Sequence, residues 1–306
     1  MRRRSLIRNL AEYGLALGVV NSLRFAPLAL AWRMGFAYAH LLDRAIPRLR
    51  RVAYRNLAMA LPDADPKAVV DGVFRSIGRL LVVFAKLPSI RKANLARWVR
   101  LEGGEYFEEA RRAGRGVLFA ASHLGNWELS AFAHALLAEP MYVVVRPLDN
   151  PYIDRFVERR RGLSGNRPLF KKDFARTILK ALANQQAVGI LIDQNTAGEA
   201  SVFVEFFGMP AAAGTGFVKV AAHSEAAVIP GYAIWSGEEQ RYILRFEEPL
   251  EISGDVERDT QALHARLEAI VRRYPDQWLW IHRRWKTRPP GEPELYDGLP
   301  NTRSSA

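Results

Sequence analysis

The sequence predicts an α/β fold, a mostly parallel sheet flanked by helices, entered through a basic and helical N-terminal segment. Three observations predict it. From Gly116 onward, short apolar runs of strand length alternate with helical stretches, which is the pattern of βαβ units. The first three of these runs each end in a polar group, at Ser122-His123, at Arg146 and at Asp193-Gln194-Asn195, as strands do when their carboxyl ends form one ligand-collecting edge. Residues 1–55, in contrast, mix arginines with long apolar stretches and show no strand pattern. With 306 residues and 49% hydrophobic content the chain can bury a large core. It divides into basic, apolar helices over 1–60, an α/β domain over 61–290 and an irregular tail over 291–306, disordered beyond Pro300.

The N-terminal segment carries most of the charge. Residues 1–55 hold eleven arginines against Glu12 and Asp43, which is nine of the net +12. Such an excess attracts nucleic acid or anionic lipid head groups. A nucleic-acid arm would not interleave its arginines with Leu, Val, Phe and Trp, so nucleic acid is the weaker reading. Tyr13 to Leu23, Phe25 to Trp32 and Met34 to Leu42 are uncharged but shorter than the ~20 residues that cross a bilayer. Arg2 to Arg4 would also orient a single crossing so as to place the rest of the chain outside. An interfacial or re-entrant helix pair docked on a membrane fits better; the alternative is a hairpin packed on the core. No signal-peptide cleavage pattern follows. The absence of cysteine excludes disulfides and thiolate metal sites and agrees with a cytoplasmic location.

Next, Asp65 and Pro66 open a helix whose Val70, Val73, Phe74, Ile77, Leu80, Leu81 and Phe84 share one face. Strands are expected at Val117 to Ala121, Tyr142 to Val145, Val188 to Ile192, Val228 to Ile234 and Tyr242 to Phe246. Val202 to Phe207, polar at Glu205, reads as an edge strand or a pocket rim. Gly214-Thr215-Gly216 opens a helix. Ala262 to Tyr274 is helical, and Pro275 starts a second helix with Trp278, Ile281 and Trp285 on one side.

Chemistry centres on Gly116 to Glu128, where an apolar strand runs into His123-Leu124-Gly125-Asn126-Trp127-Glu128. A histidine and a carboxylate five residues apart would point roughly 140° apart on one helix, so His123 must precede the helix for Glu128 to reach it. Gly125-Asn126 supplies that break. The spacing alone is weak, since six histidines and 32 acidic residues give about half a match by chance. His134 and Glu139 repeat it with no strand behind them and read as structural. A neutral His123 steadied by Glu128 can take a proton from a hydroxyl. The backbone amides near Gly125 and Asn126 are the candidate oxyanion donors. No Gly-x-Ser-x-Gly, HExxH or Walker-type loop occurs, which argues against a serine or cysteine hydrolase, a zincin and an NTPase. A base with no protein nucleophile makes the substrate's own hydroxyl the attacking group.

The string HLGNWE, followed in order by VVVRPLDNPYIDRFVERRRG, GILIDQN, VEFFGMPAAAGTG and PDQWLWIHRRWKTRPPGEP, resembles the bacterial lipid A biosynthesis acyltransferases, a family with relatives that acylate phosphatidylinositol mannosides. The resemblance covers about Arg50 to Pro293. It implies a glycerol-phosphate-acyltransferase-like fold at the cytoplasmic face of the inner membrane. It also implies direct transfer of a fatty acyl group from a thioester, on acyl carrier protein or coenzyme A, to a hydroxyl of an anionic glycolipid, with no tightly bound cofactor and no metal. Carried over residue by residue, it makes His123 and Glu128 catalytic. Gly125, Asn126, Arg146, Asp193 and Gln194 contact substrate, with Arg146 facing an anionic group and Asp193 orienting substrate or Arg146. His223 stands where relatives often carry arginine. The rival from another class is a non-enzymatic lipid-binding protein that binds such substrates without turning them over.

Overall fold

The computed structural model describes residues 5–170 and 174–298. Arg2 to Arg4, and the tail beyond Pro300, lie outside the described residues. At the centre is a seven-stranded sheet in the order β1 (Val99–Glu102), β9 (Arg241–Phe246), β8 (Ala227–Ser236), β2 (Val117–Ala121), β5 (Ala187–Leu191), β3 (Tyr142–Val145) and β4 (Arg167–Phe170). Every neighbouring pair is parallel except β8 with β9.

β2 lies between β8 and β5, and its continuous apolar run has the composition of a strand covered on both faces. Its side chains alternate between two cores. Val117 and Phe119 join Phe107, Phe132 and Leu244 on one face, and Leu118 and Ala120 join Ile178, Val188 and Val220 on the other. The expected strands appear within two residues of their expected ends. β1 and β4, four residues each, escape the sequence pattern because charged and apolar residues mix in them. The Val202 to Phe207 segment pairs outside the main sheet, as β6 (Ser201–Phe206) in an antiparallel hairpin with β7 (Met209–Gly214).

Helices cover both faces. α1 (Leu6–Phe25) and α2 (Leu28–Ala45) rest on α4 (Pro66–Lys86), which follows α3 (Pro47–Ala60). Asp65 caps α4 by accepting from the amides of Lys67 and Ala68 at 2.9 and 3.2 Å. α2 and α4 cross at Gly35 and Gly78, where a methyl group on Gly35 would sit 2.8 Å from the Gly78 carbonyl oxygen. Leu23, Ala31 and Ala39 are buried, while Ile7, Leu15 and Phe25 are exposed. The segment therefore packs on the core by one side and keeps an apolar side free. No helix among the described residues is long and apolar enough to cross a membrane. The remaining helices are α5 (Gly104–Arg112), α6 (Trp127–Leu137), α7 (Pro151–Arg161), α8 (Phe174–Ala183), α9 (Gly216–Ser224) and α10 (Val256–Arg273).

The expected helix from Pro275 is replaced by one 3₁₀ turn, Pro275–Gln277, and an irregular strap beyond it. The strap's backbone groups are engaged elsewhere. The Leu279 amide donates to the His123 carbonyl at 3.1 Å, and the Gln277 carbonyl accepts from the Gly125 amide at 2.9 Å. Trp278, Trp280 and Trp285 are fully buried, so they belong to the core and not to an interfacial belt.

Asn56 of α3 clasps the strap. Its amide donates to the carbonyls of Trp280 and His282 at 2.7 and 2.8 Å, and its oxygen accepts from the Tyr296 hydroxyl at 2.6 Å. Asn56→Ala leaves the Trp280 carbonyl without its donor and the Tyr296 hydroxyl without its acceptor, while the His282 carbonyl keeps the Arg284 amide. We expect a loss of at least about 2 kcal/mol in urea unfolding, with the slope unchanged; a loss within ~0.5 kcal/mol, the range of ordinary surface changes, would show that the clasp contributes little.

Candidate active site

β2 delivers Ser122 and His123 at its carboxyl end, and the next residues are fixed by neighbours on two sides. The amides of Gly125 and Asn126 donate to the carbonyls of Gln277 and Ala233, both at 2.9 Å. Gly125 has φ +64°, and a Cβ there would lie 1.9 Å from the Ala233 carbonyl oxygen, so only glycine fits. The Asn126 side chain caps α6 by accepting from the Leu129 amide at 2.9 Å. Both amides, expected from the sequence as oxyanion donors, are therefore already engaged. Gly125 and Asn126 are buried, their amides are engaged within the protein, and they shape the loop that presents His123. Ser122 is also buried, 2% exposed, and is not presented as a nucleophile.

The partner of His123 also differs from the sequence expectation. Its Nδ1 lies 2.8 Å from Asp193 Oδ1, and its backbone amide donates to Asp193 Oδ2 at 2.8 Å. Asp193 follows β5, the strand beside β2, so the two parallel strands bring their ends together. Glu128, in the first turn of α6, pairs with Arg161 at the end of α7. Arg161 Nε donates to Oε2 at 2.9 Å and Nη2 to Oε1 at 2.5 Å. A guanidinium that offers two donors to one carboxylate outcompetes a single ring nitrogen. Glu128 therefore acts on His123 only through space, and the hydrogen-bonded partner is Asp193.

The electrostatics follow this geometry. Burial opposes the charged form of His123, but the Asp193 carboxylate, with Glu128 beyond it, outweighs burial and raises the His123 pKa above its ordinary value. Burial likewise opposes ionisation of Asp193, yet the charge and hydrogen bonds of His123 hold it well below the usual carboxylate range. The pair is thus biased toward imidazolium and carboxylate. His282, behind it, is pushed down to about 4 by burial and stays neutral.

The opposite nitrogen of His123 faces outward. Gln194 Nε2 lies 3.5 Å from His123 Nε2, at the outer edge of hydrogen-bonding distance, and Gln194 is exposed. Trp127 packs edge-on against the imidazole, ring centres 4.8 Å apart. Arg146 is exposed just past β3, the strand beside β5 on the side away from β2. Sequence reading missed Arg161 and Trp278, whose indole N–H donates to Asp193 Oδ2 at 2.9 Å. Both stand within the blocks VVVRPLDNPYIDRFVERRRG and PDQWLWIHRRWKTRPPGEP, but nothing in the linear sequence ties either to its carboxylate. Among the described residues no group of three or more His, Asp or Glu side chains is placed to hold a metal ion.

The profile of a family described as bacterial lipid A biosynthesis acyltransferase matches residues 2–287. The chain is 28% identical over 289 residues to the lipid A biosynthesis lauroyltransferase of Escherichia coli (strain K12), covering 92% of this chain and 94% of that protein. It is 29% identical over 258 residues to the palmitoleoyltransferase of the same organism, covering 82% and 83%. The myristoyltransferase of that strain is 25% identical over 252 residues, covering 81% and 78%.

Glu128 and Arg161 form one partly buried unit, with side chains 11% and 24% exposed. Glu128→Gln and Arg161→Gln should each destabilise the protein, and the double change should cost less than the sum by about 1–3 kcal/mol in a denaturation cycle. A coupling of that size between Glu128 and His123, with none between Glu128 and Arg161, would restore the pairing expected from the sequence.

Proposed function

The chain belongs to the family of bacterial lipid A biosynthesis acyltransferases and is an acyltransferase, and from that premise we propose that His123 is its general base, held by Asp193. The acceptor is a hydroxyl of an anionic glycolipid such as a lipid A precursor, and the donor is a fatty acyl thioester on acyl carrier protein or coenzyme A. The observation that carries this reading is the 2.8 Å contact between His123 Nδ1 and a buried carboxylate, with Nε2 turned toward exposed Gln194.

In this reading Asp193 keeps the proton on Nδ1, so Nε2 carries the lone pair. Nε2 takes the proton of the acceptor hydroxyl as its oxygen bonds to the thioester carbonyl carbon. The Asp193 carboxylate steadies the imidazolium that results. When the carbon–sulfur bond breaks, the imidazolium returns that proton to the departing sulfur, and no covalent acyl-enzyme forms. With the amides of Gly125 and Asn126 engaged elsewhere, the developing oxyanion needs another donor. Arg161 supports that role: Glu128 occupies its Nε and Nη2, and its charge is near enough to act on His123. Arg146 would face an anionic group of the acceptor.

His123→Ala should abolish acyl transfer from acyl carrier protein or coenzyme A thioesters to a lipid A precursor; undiminished turnover would remove His123 from the chemistry. The raised His123 pKa keeps the base protonated to higher pH. We therefore expect kcat/KM to rise with pH through a limb above 6.5. Asp193→Asn removes the charge that raises it. The limb should then move to lower pH while kcat falls by roughly 10²–10⁴-fold. A limb that stays in place in Asp193→Asn would mean that another group sets it.

The exposed apolar side chains of α1 and α2, among them Ile7, Leu15, Phe25 and Leu30, lie beside exposed Arg24 and Arg33. This composition supports docking at the cytoplasmic face of the inner membrane, apolar side in the acyl region and arginines at the phosphates. The protein should float with vesicles containing anionic phospholipid, and replacing Ile7, Leu15 and Phe25 by Ser should leave it at the bottom of the gradient. Equal flotation of both proteins would place the contact elsewhere.

A further inference from the structure

Among the described residues, two of the three donors on the Asp193 carboxylate come from His123 itself, its ring nitrogen and its backbone amide. Those two bonds fix Asp193 relative to His123. They do not fix the pair relative to the rest of the protein. The third donor is the Trp278 indole N–H, 2.9 Å from Oδ2, on a different element.

That element is the strap, and it holds both loops of the site. On the His123 side, Leu279 donates to the His123 carbonyl, Gln277 accepts from Gly125, and Trp278 pairs as a bridge with Leu124. On the Asp193 side, Asn195 Nδ2 donates to the Thr287 hydroxyl at 3.0 Å, and the Thr287 amide returns a bond of 3.0 Å to Asn195 Oδ1. Trp278 is 1% exposed and wedged edge-on against Phe206 and Trp280, so its indole cannot follow a carboxylate that moves. We propose that Trp278 is a positioning residue for acyl transfer, which fixes the Asp193 carboxylate, and through it the His123 ring, by means of its N–H and not its bulk. The proposal rests on the reading of His123 as the base.

The charges around the pair set the sign of the effect. Asp193 is faced by His123 of the β2 loop, by His282 and the buried Arg284 of the strap, by His264 of α10 and by Tyr232 of β8. His123 is faced by Asp193, Glu128 and Arg161. Burial keeps His264, His282 and Tyr232 neutral around pH 7. Removing the indole donor leaves more negative charge on Oδ2, which strengthens the hold of Asp193 on the imidazolium. The acid limb of kcat/KM should therefore move to higher pH, opposite to its movement in Asp193→Asn.

The test compares Trp278→Phe with Trp280→Phe. Trp280 is equally buried, and its indole donates to the Pro275 carbonyl at 2.7 Å, away from Asp193. In Trp278→Phe we expect kcat to fall about tenfold at unchanged KM, with the acid limb moved up, a loss within the range for general-base catalysis impaired but not removed. Trp280→Phe should leave the limb where it is. A second measurement needs no turnover. Of the seven tryptophan indole N–H signals in the ¹H–¹⁵N spectrum, the one lost in Trp278→Phe should move in Asp193→Asn; the Trp127 signal, packed on the imidazole, serves as the reporter of the His123 ring alone. If His123→Ala abolishes activity but Trp278→Phe leaves the limb in place, or if the Trp278 signal does not respond to Asp193→Asn, the role of Trp278 is overturned while His123 keeps its own. Full activity in His123→Ala overturns both.

Discussion

The constraint behind the site is a carboxylate with almost no access to water. Asp193 is 1% exposed, and an ionised group in that setting is stable only when its oxygens are met by donors and a positive charge lies nearby. His123 and Trp278 supply the donors. Much of the local architecture follows. β2 and β5 must be parallel neighbours so that their ends meet, the loop after His123 must turn sharply so that the ring and amide of one residue reach one carboxylate, and the strap must pass close behind. The turn is possible because Gly125 adopts φ +64° against the β8 backbone, where any side chain would collide.

The second charge pair divides the labour. Glu128 and Arg161 pair beside His123 and act on its protonation in opposite directions, the carboxylate favouring the imidazolium and the guanidinium opposing it. Such a pair holds the guanidinium in one place through two donors to one carboxylate. Had Glu128 been the hydrogen-bond partner of His123, Arg161 would lack its carboxylate and Asp193 would be a buried anion without its main counter-charge. The observed arrangement satisfies both carboxylates.

Much of this was legible in the sequence, for reasons that also explain what was not. β2 and β3 were found to the residue because a buried strand between polar ends is a local pattern. His123 stood out because a strand delivers it. Asp193 stood out as the polar end of another strand, but its partner is 70 residues away, and a sequence offers no measure of that distance. Glu128 looked like the partner because it is near in the chain, while its ion pair depends on how α7 lies against α6. The strap misled for a different reason. Trp278, Ile281 and Trp285 recur at three and four residues, which is helical spacing, yet the backbone there bonds to other loops and the indoles fill separate sites in one core. The apolar faces of α1 and α2 were legible as composition, though the close crossing at Gly35 and Gly78 was not.

The strap has one more consequence, which concerns the order in which the chain emerges during synthesis. His123 and Asp193 are both made well before residue 275, and the sheet that carries them is complete at Phe246. Until the strap follows, Asp193 lacks its indole donor, the Gly125 amide lacks its acceptor and Asn56 waits for partners 224 to 240 residues away. Contacts of such long range close late and slowly. A ribosome-bound chain therefore carries His123 without its finished surroundings, which are complete only once the segment from Pro275 onward has followed.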